Sequence, residues 1–151
     1  MSSSIRLAAG KDYIGVGVGA VVLNDLGEVL LILRRKEPEA DKWTIPGGAV
    51  EWFEKCADAI KRECLEEVGV NVVVSDLVRR IVHRYPHGLV ELHYFRCTIE
   101  GVGVSPREDS GFVWVAAGDL PGYRFPEAND ALIAALVREG VGTKGSLRDE
   151  P

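Results

Sequence analysis

Cysteine is scarce in this chain of 151 residues: Cys56, Cys64 and Cys97 are the only three. Their odd number and spacings suit neither a disulfide framework nor a zinc site. Buried free thiols acting as small apolar side chains are expected, in a reducing, cytoplasmic setting. Long hydrophobic runs are also missing. The longest, residues 16–23, is far shorter than the roughly 20 residues that span a bilayer, and residues 1–12 lack the apolar core of a secretory signal. Nor is there an excess of positive charge. Lys and Arg total 18 against 23 Asp and Glu, for a net charge of −5 and a pI near 5.2. That balance excludes the dense cationic surface used for non-specific binding of duplex nucleic acid. An acidic chain meets an anionic small molecule more readily through bridging cations. Repeats, low-complexity segments and a second domain are absent. The expectation is one globular domain over residues 13–140, with flexible ends at 1–12 and 141–151.

What is present is concentrated in residues 48–70, GAVEWFEKCADAIKRECLEEVGV. On a helix, residues three and four apart share a face. Glu63, Glu66 and Glu67 therefore project together, beside an apolar stripe of Ala57, Ile60, Cys64 and Val68. Oxygen ligands on a rigid element suit a hard divalent cation, and Mg²⁺ commonly completes its shell with water and substrate phosphates. A solvated acidic face is the other reading, since like charges at this spacing cost only about 0.2–0.5 kcal/mol on an exposed helix.

The wider spacing separates the two readings. Gly48, Glu54, Arg62-Glu63, Glu66-Glu67 and Gly69 stand at the fixed intervals of the Nudix box, which this segment resembles at every defining position. The resemblance implies an α+β fold, an α/β/α sandwich with a mixed sheet and the box helix packed against it. It also implies a loop-helix-loop whose glutamates hold metal against a diphosphate linkage. One local departure stands out: Phe53 and Lys55 flank Glu54, where the family often has Gly before it and a small hydroxyl residue after.

Strands are expected at residues 14–23, 28–33, 70–85, 89–99 and 112–115, with Asn24-Asp25-Leu26-Gly27 and Pro86-His87-Gly88 as turns. In the first strand Gly15, Gly17 and Gly19 share one face. Such a bare face leaves room for a nucleotide or lets a neighbouring element pack closely. The box helix is expected over residues 54–68 with Gly69 as its left-handed cap. A second helix should open at Pro126, bury Leu132, Ile133, Leu136 and Val137, and end at Gly140. Trp114 reads as a core anchor. His83, His87 and His93 lack partners at ligand spacing and read as solvent-facing or substrate-lining imidazoles.

The resemblance covers residues 16–137, and YPHGLVELHYFRC, FVWV and FPEANDALIAAL resemble the MutT-like branch. That implies a Mg²⁺-dependent pyrophosphohydrolase, with Mn²⁺ able to substitute, which cleaves a nucleoside triphosphate to monophosphate and pyrophosphate. The partner is a small nucleotide, with neither membrane nor duplex nucleic acid involved. The implied metal ligands are Glu63, Glu66, Glu67, the Gly47 carbonyl and Glu108. General-base candidates are Glu63, Glu108 and Glu54, with Arg62 orienting a glutamate. Arg35 would reach the phosphates or form a surface ion pair. Asn129 would contact the base through an amide that both donates and accepts, or cap the second helix. Tyr85 and Pro86 also occupy positions used by dinucleoside-polyphosphate and ADP-ribose hydrolases, so cleavage of those compounds or of nucleotide sugars is the alternative chemistry. A non-catalytic nucleotide-binding module is the alternative class.

Overall fold

The computed structural model describes residues 13–37, 39–101 and 111–141. Its strands are β1 (Tyr13–Leu23), β2 (Val29–Leu33), β3 (Trp43–Thr44), β4 (Gly47–Ala49), β5 (Asn71–Tyr85), β6 (Gly88–Glu100) and β7 (Phe112–Val115). They form one mixed sheet with path order β3-β2-β1-β6-β5, while β4 pairs with β1 and β7 with β2. The pairing of β1 with β6 is parallel and the others are antiparallel. Helix α1 (Cys56–Val68) covers one face and α2 (Asp130–Glu139) the other. This is the expected sandwich with a mixed sheet.

Alternation along β1 builds both cores. Val18, Ala20 and Val22 pack with Ile60 and Cys64 of α1, while Val21 and Leu23 pack with Leu132, Ile133 and Leu136 of α2. Complete burial of one such aliphatic side chain is worth roughly 1.5–3 kcal/mol. The β1–β2 turn forms as expected. Asn24 Oδ1 accepts from the N–H groups of Leu26 at 3.0 Å and Glu28 at 2.9 Å, and Gly27 takes φ +77°, an Asx turn closed by the residue best able to adopt positive φ.

Several expected boundaries shift. Helix α1 begins at Cys56 rather than Glu54. Glu54 is held in the preceding turn, where its N–H donates to the Glu51 carbonyl at 2.9 Å. The buried stripe is Ala59, Ile60 and Cys64, with Ala57 only half-buried. Gly69 caps α1 at φ 79°, donating to the carbonyls of Cys64 and Leu65. After Pro126 a short 3-10 turn, Glu127–Asn129, precedes α2. Val137, expected to be buried, is 41% exposed and Ala135 is buried instead, while Leu132, Ile133 and Leu136 join the α2-side core as expected. Trp114 packs only partly buried against the α1-side core, and Val115 is the buried residue of β7. Cys64 and Cys97 are buried free thiols, whereas Cys56 is half-buried.

Candidate active site

The sheet face under α2 is covered over only part of its area. Where β1 passes from Val21 to Gly19 and Gly17 it loses side chains, and a groove of about 1030 Å³ opens there. Gly15, Gly17 and Gly19 form its floor, and Gly47 and Gly48 bring β4 to its edge. Both readings of the glycine face hold. It is open to the groove, yet a Cβ on Gly19 would lie 2.7 Å from the Tyr94 ring and 3.0 Å from Ile45.

The acidic set of α1 meets this groove at β4. The Gly47 N–H donates to Glu67 Oε1 at 3.0 Å, and Glu67 lines the groove. The Glu63 carboxyl lies against Gly48 so closely that a Cβ there would fall 2.6 Å from its Cδ. Arg62 ties the set together. Its guanidinium donates to both Glu54 oxygens, at 2.7 Å to Oε2 and 2.8 Å to Oε1, to Glu63 Oε2 at 2.9 Å and to the Ala49 carbonyl at 3.1 Å. Glu66 Oε1 stands 3.6 Å from it. Two parallel charge-assisted bonds to one carboxylate give position as well as energy.

Electrostatics divide these carboxylates. The Arg62 hydrogen bonds, helped by the Glu51 N–H, hold Glu54 down at about 2, against the burial that would raise it. Glu67 is pushed up to about 7, first by desolvation of its carboxyl end and then by Glu63 and Glu66, with the Gly47 N–H opposing. Like charges crowded on one side of a groove constitute a donor set that positive charge would relieve. Among the described residues no three His, Cys, Asp or Glu side chains converge as a metal cage; Arg62 hydrogen-bonds Glu54 and Glu63, and the Gly47 N–H hydrogen-bonds Glu67. The hard oxygen chemistry of Glu63, Glu66 and Glu67 nevertheless suits a divalent cation that takes part of its shell from water and phosphate.

The remaining residues singled out in the sequence divide by location. Gly47 joins the acidic set through its N–H, whereas the family resemblance assigned its carbonyl. Arg35 lines the groove, and its guanidinium would crowd a Cβ on Gly111 at 2.9 Å. Asn129 occupies the N-cap position of α2 but its side chain caps no N–H. It is 8% exposed, borders the groove and accepts a hydrogen bond from Thr44 Oγ1 at 3.3 Å. Glu108 lies outside the described residues. Tyr85 and His87 line the groove, and His83 stacks edge-on against Tyr85 at 4.6 Å, while His93 stands 3.5 Å from Glu91.

Arg34, Lys36, Thr44 and Tyr94 also line the groove and went unmarked in the sequence. The period of two in β6 puts Leu92 and Tyr94 on one face, but only the parallel register Gly17↔Leu92 and Gly19↔Tyr94 sets that face beside the glycines.

The NUDIX domain model matches residues 14–139. An 8-oxo-dGTP diphosphatase of Haemophilus influenzae is 31% identical over 131 residues, 85% of this chain and 95% of that protein. An 8-oxo-dGTP diphosphatase of Escherichia coli is 28% identical over 131 residues, covering 85% and 98% of the two chains. The crystal structure of a MutT protein from Methanosarcina mazei superposes with TM-score 0.70 at 26% identity, over 87% of this chain and 98% of that one.

Proposed function

The chain belongs to the NUDIX family, and from that premise we propose that it hydrolyses a nucleoside triphosphate to the monophosphate and pyrophosphate with Mg²⁺, or Mn²⁺ in its place, removing damaged nucleotides such as 8-oxo-dGTP. Relatives bearing the name 8-oxo-dGTP diphosphatase support the substrate class. The observation that carries the reading is the meeting of the α1 carboxylates with the groove floor at Gly47 and Gly48. Members of the family work with a divalent metal. The groove volume of about 1030 Å³ is ample for a nucleotide, as ligand sites commonly span about 300–1000 Å³. No helix among the described residues is long and apolar enough to cross a membrane; the proposed setting is the cytoplasm, where the nucleotide pool lies.

In the reaction, water forms a bond to one phosphorus of the α–β linkage as its bridging P–O bond breaks, and the bridging oxygen leaves with the other phosphorus, so that monophosphate and pyrophosphate separate. Glu63, Glu66 and Glu67, with Gly47 beside them and Glu108 as a further candidate, would hold the cation, which neutralises charge on the phosphate oxygens and acidifies water. Arg62 keeps Glu63 in place and fixes the turn through Glu54. A general base works best with a pKa near the operating pH. Glu54, held near 2 by Arg62, suits positioning better than proton transfer, leaving Glu63 and Glu108 as candidates for the base. Arg35 and Asn129 both line the groove; Arg35 would meet phosphate and Asn129 the base.

The test is turnover of a panel of nucleotides with product identification. Orthophosphate should be released only after inorganic pyrophosphatase is added. Glu66→Gln and Glu67→Gln should each lower kcat by at least about a hundredfold, the scale of losing one preorganised transition-state contact, with thermal unfolding preserved. Full Mg²⁺-dependent activity in both variants would remove the assignment.

A further inference from the structure

Two aromatic side chains stand out from the turn that leads into α1. Trp52 is 70% exposed and Phe53 72%, and their rings meet edge to face with centroids 5.9 Å apart. The other exposed large apolar side chains among the described residues stand singly in the sequence, which is ordinary for a protein surface. The turn itself is pinned. The Val50 N–H donates to the Val16 carbonyl at 2.9 Å and the Glu54 N–H to the Glu51 carbonyl at 2.9 Å. The Glu51 N–H donates to Glu54 Oε1 at 2.9 Å, and Arg62 grips both Glu54 oxygens. A fixed backbone therefore holds both rings out in water. Charge flanks them in a definite order, with Glu51 on one side and Lys55 on the other. Among the described residues neither of those side chains has an ion-pair partner. Glu54, which lies between them, is tucked against Arg62 at 12% side-chain exposure. Phe53 and Lys55 are also the two positions at which the box departs from the family's habit, and the metal and phosphate chemistry accounts for neither.

We propose that Trp52 and Phe53 form the centre of a two-fold contact between two copies of this chain. A two-fold axis through the aromatic pair runs the segment in opposite directions in the two copies. Glu51 of each copy then faces Lys55 of the other, and two ion pairs flank four rings. Such a surface is self-complementary, as an isologous interface requires. With a net charge of −5, two copies repel one another overall, and the unpaired Lys55 supplies the local attraction that offsets this at the contact. Because the turn is already fixed, little freedom is lost on association. Four rings of about 150–250 Å² each bury at most roughly 600–1,000 Å², below the roughly 1,600 Å² of a standard stable interface. The dimer is accordingly weak and concentration-dependent. None of Glu51, Trp52, Phe53 and Lys55 lines the nucleotide groove, so the contact holds or fails independently of the hydrolase reading.

Sedimentation equilibrium of the full chain, from about 10 μM to 1 mM, should show the mass rising from the 16.5 kDa monomer toward twice that value. Trp52→Ala and Phe53→Ala should each weaken association by at least about tenfold, with far-UV circular dichroism and thermal unfolding unchanged. Glu51→Lys and Lys55→Glu each turn two attractive pairs into two like-charge pairs and should each weaken the dimer by about fivefold at low salt. Carrying both exchanges in one chain should restore it. Monomer mass across the whole range overturns the proposal. A dimer indifferent to Trp52→Ala does so too, as does a double exchange no tighter than the single ones. Growth beyond two copies also overturns it, since a two-fold contact closes on itself.

Discussion

Gly48 lacks the one atom that would collide with the Glu63 carboxyl. It is not among the glycines with positive φ, so the requirement is for space rather than backbone freedom. Gly48→Ala is expected to displace Glu63 and lower kcat/KM by at least about tenfold, a loss near 1.4 kcal/mol, with little change in the unfolding midpoint; steady-state kinetics beside a thermal melt would show it. Glu54 makes a different contribution. Its pKa falls from the ordinary 4.5 to about 2, chiefly through the Arg62 hydrogen bonds. A group whose pKa is lower in the folded state stabilises the fold above its unfolded value and loses that contribution as pH falls through the folded one. Glu54→Gln should therefore melt below the wild type at pH 6, and the two curves should converge between pH 4.5 and 2. A gap that stays constant down to pH 2 would contradict the assignment. Spacing marked Glu54 and Arg62 as members of one motif, but their pairing, its bidentate geometry and the pKa of Glu54 depend on the turn at residues 51–54, which no periodicity encodes.

Helix α1 separates two demands by face: Ala59, Ile60 and Cys64 pack inward while Arg62, Glu63, Glu66 and Glu67 gather beside β4. Ile60→Ala removes a fully buried side chain and should cost about 2–5 kcal/mol in chemical denaturation. Val137→Ala on α2, at a position 41% exposed, should stay within about 0.5 kcal/mol. Equal losses would restore the apolar stripe expected from sequence. Helix and strand positions were mostly legible because the periods of 3.6 and 2 are local properties of the chain. Their ends were less so. Pro126 correctly marked an element start, but a 3-10 turn intervenes before α2, since a proline fixes only its own φ.

Across the whole molecule, two cores hold the fold while the acidic set stands outside both. Removing divalent metal with a chelator should therefore abolish turnover while far-UV circular dichroism is unchanged, and Mg²⁺ or Mn²⁺ should restore activity; unfolding on chelation would show that metal supports the fold itself. By itself the sequence determined the box residues from Gly48 to Gly69, because they stand at fixed local intervals, and the resemblance those intervals carry implied the family and the sandwich class. Only the tertiary structure decided where the groove opens, that Thr44 meets Asn129, and that Gly47 reaches Glu67 through its N–H. The first depends on the parallel register of β1 with β6, the second on α2 folding back over the sheet, and the third on β4 running beside α1. The contacts join residues as far apart as Thr44 and Asn129, a separation at which chain periodicity carries no information.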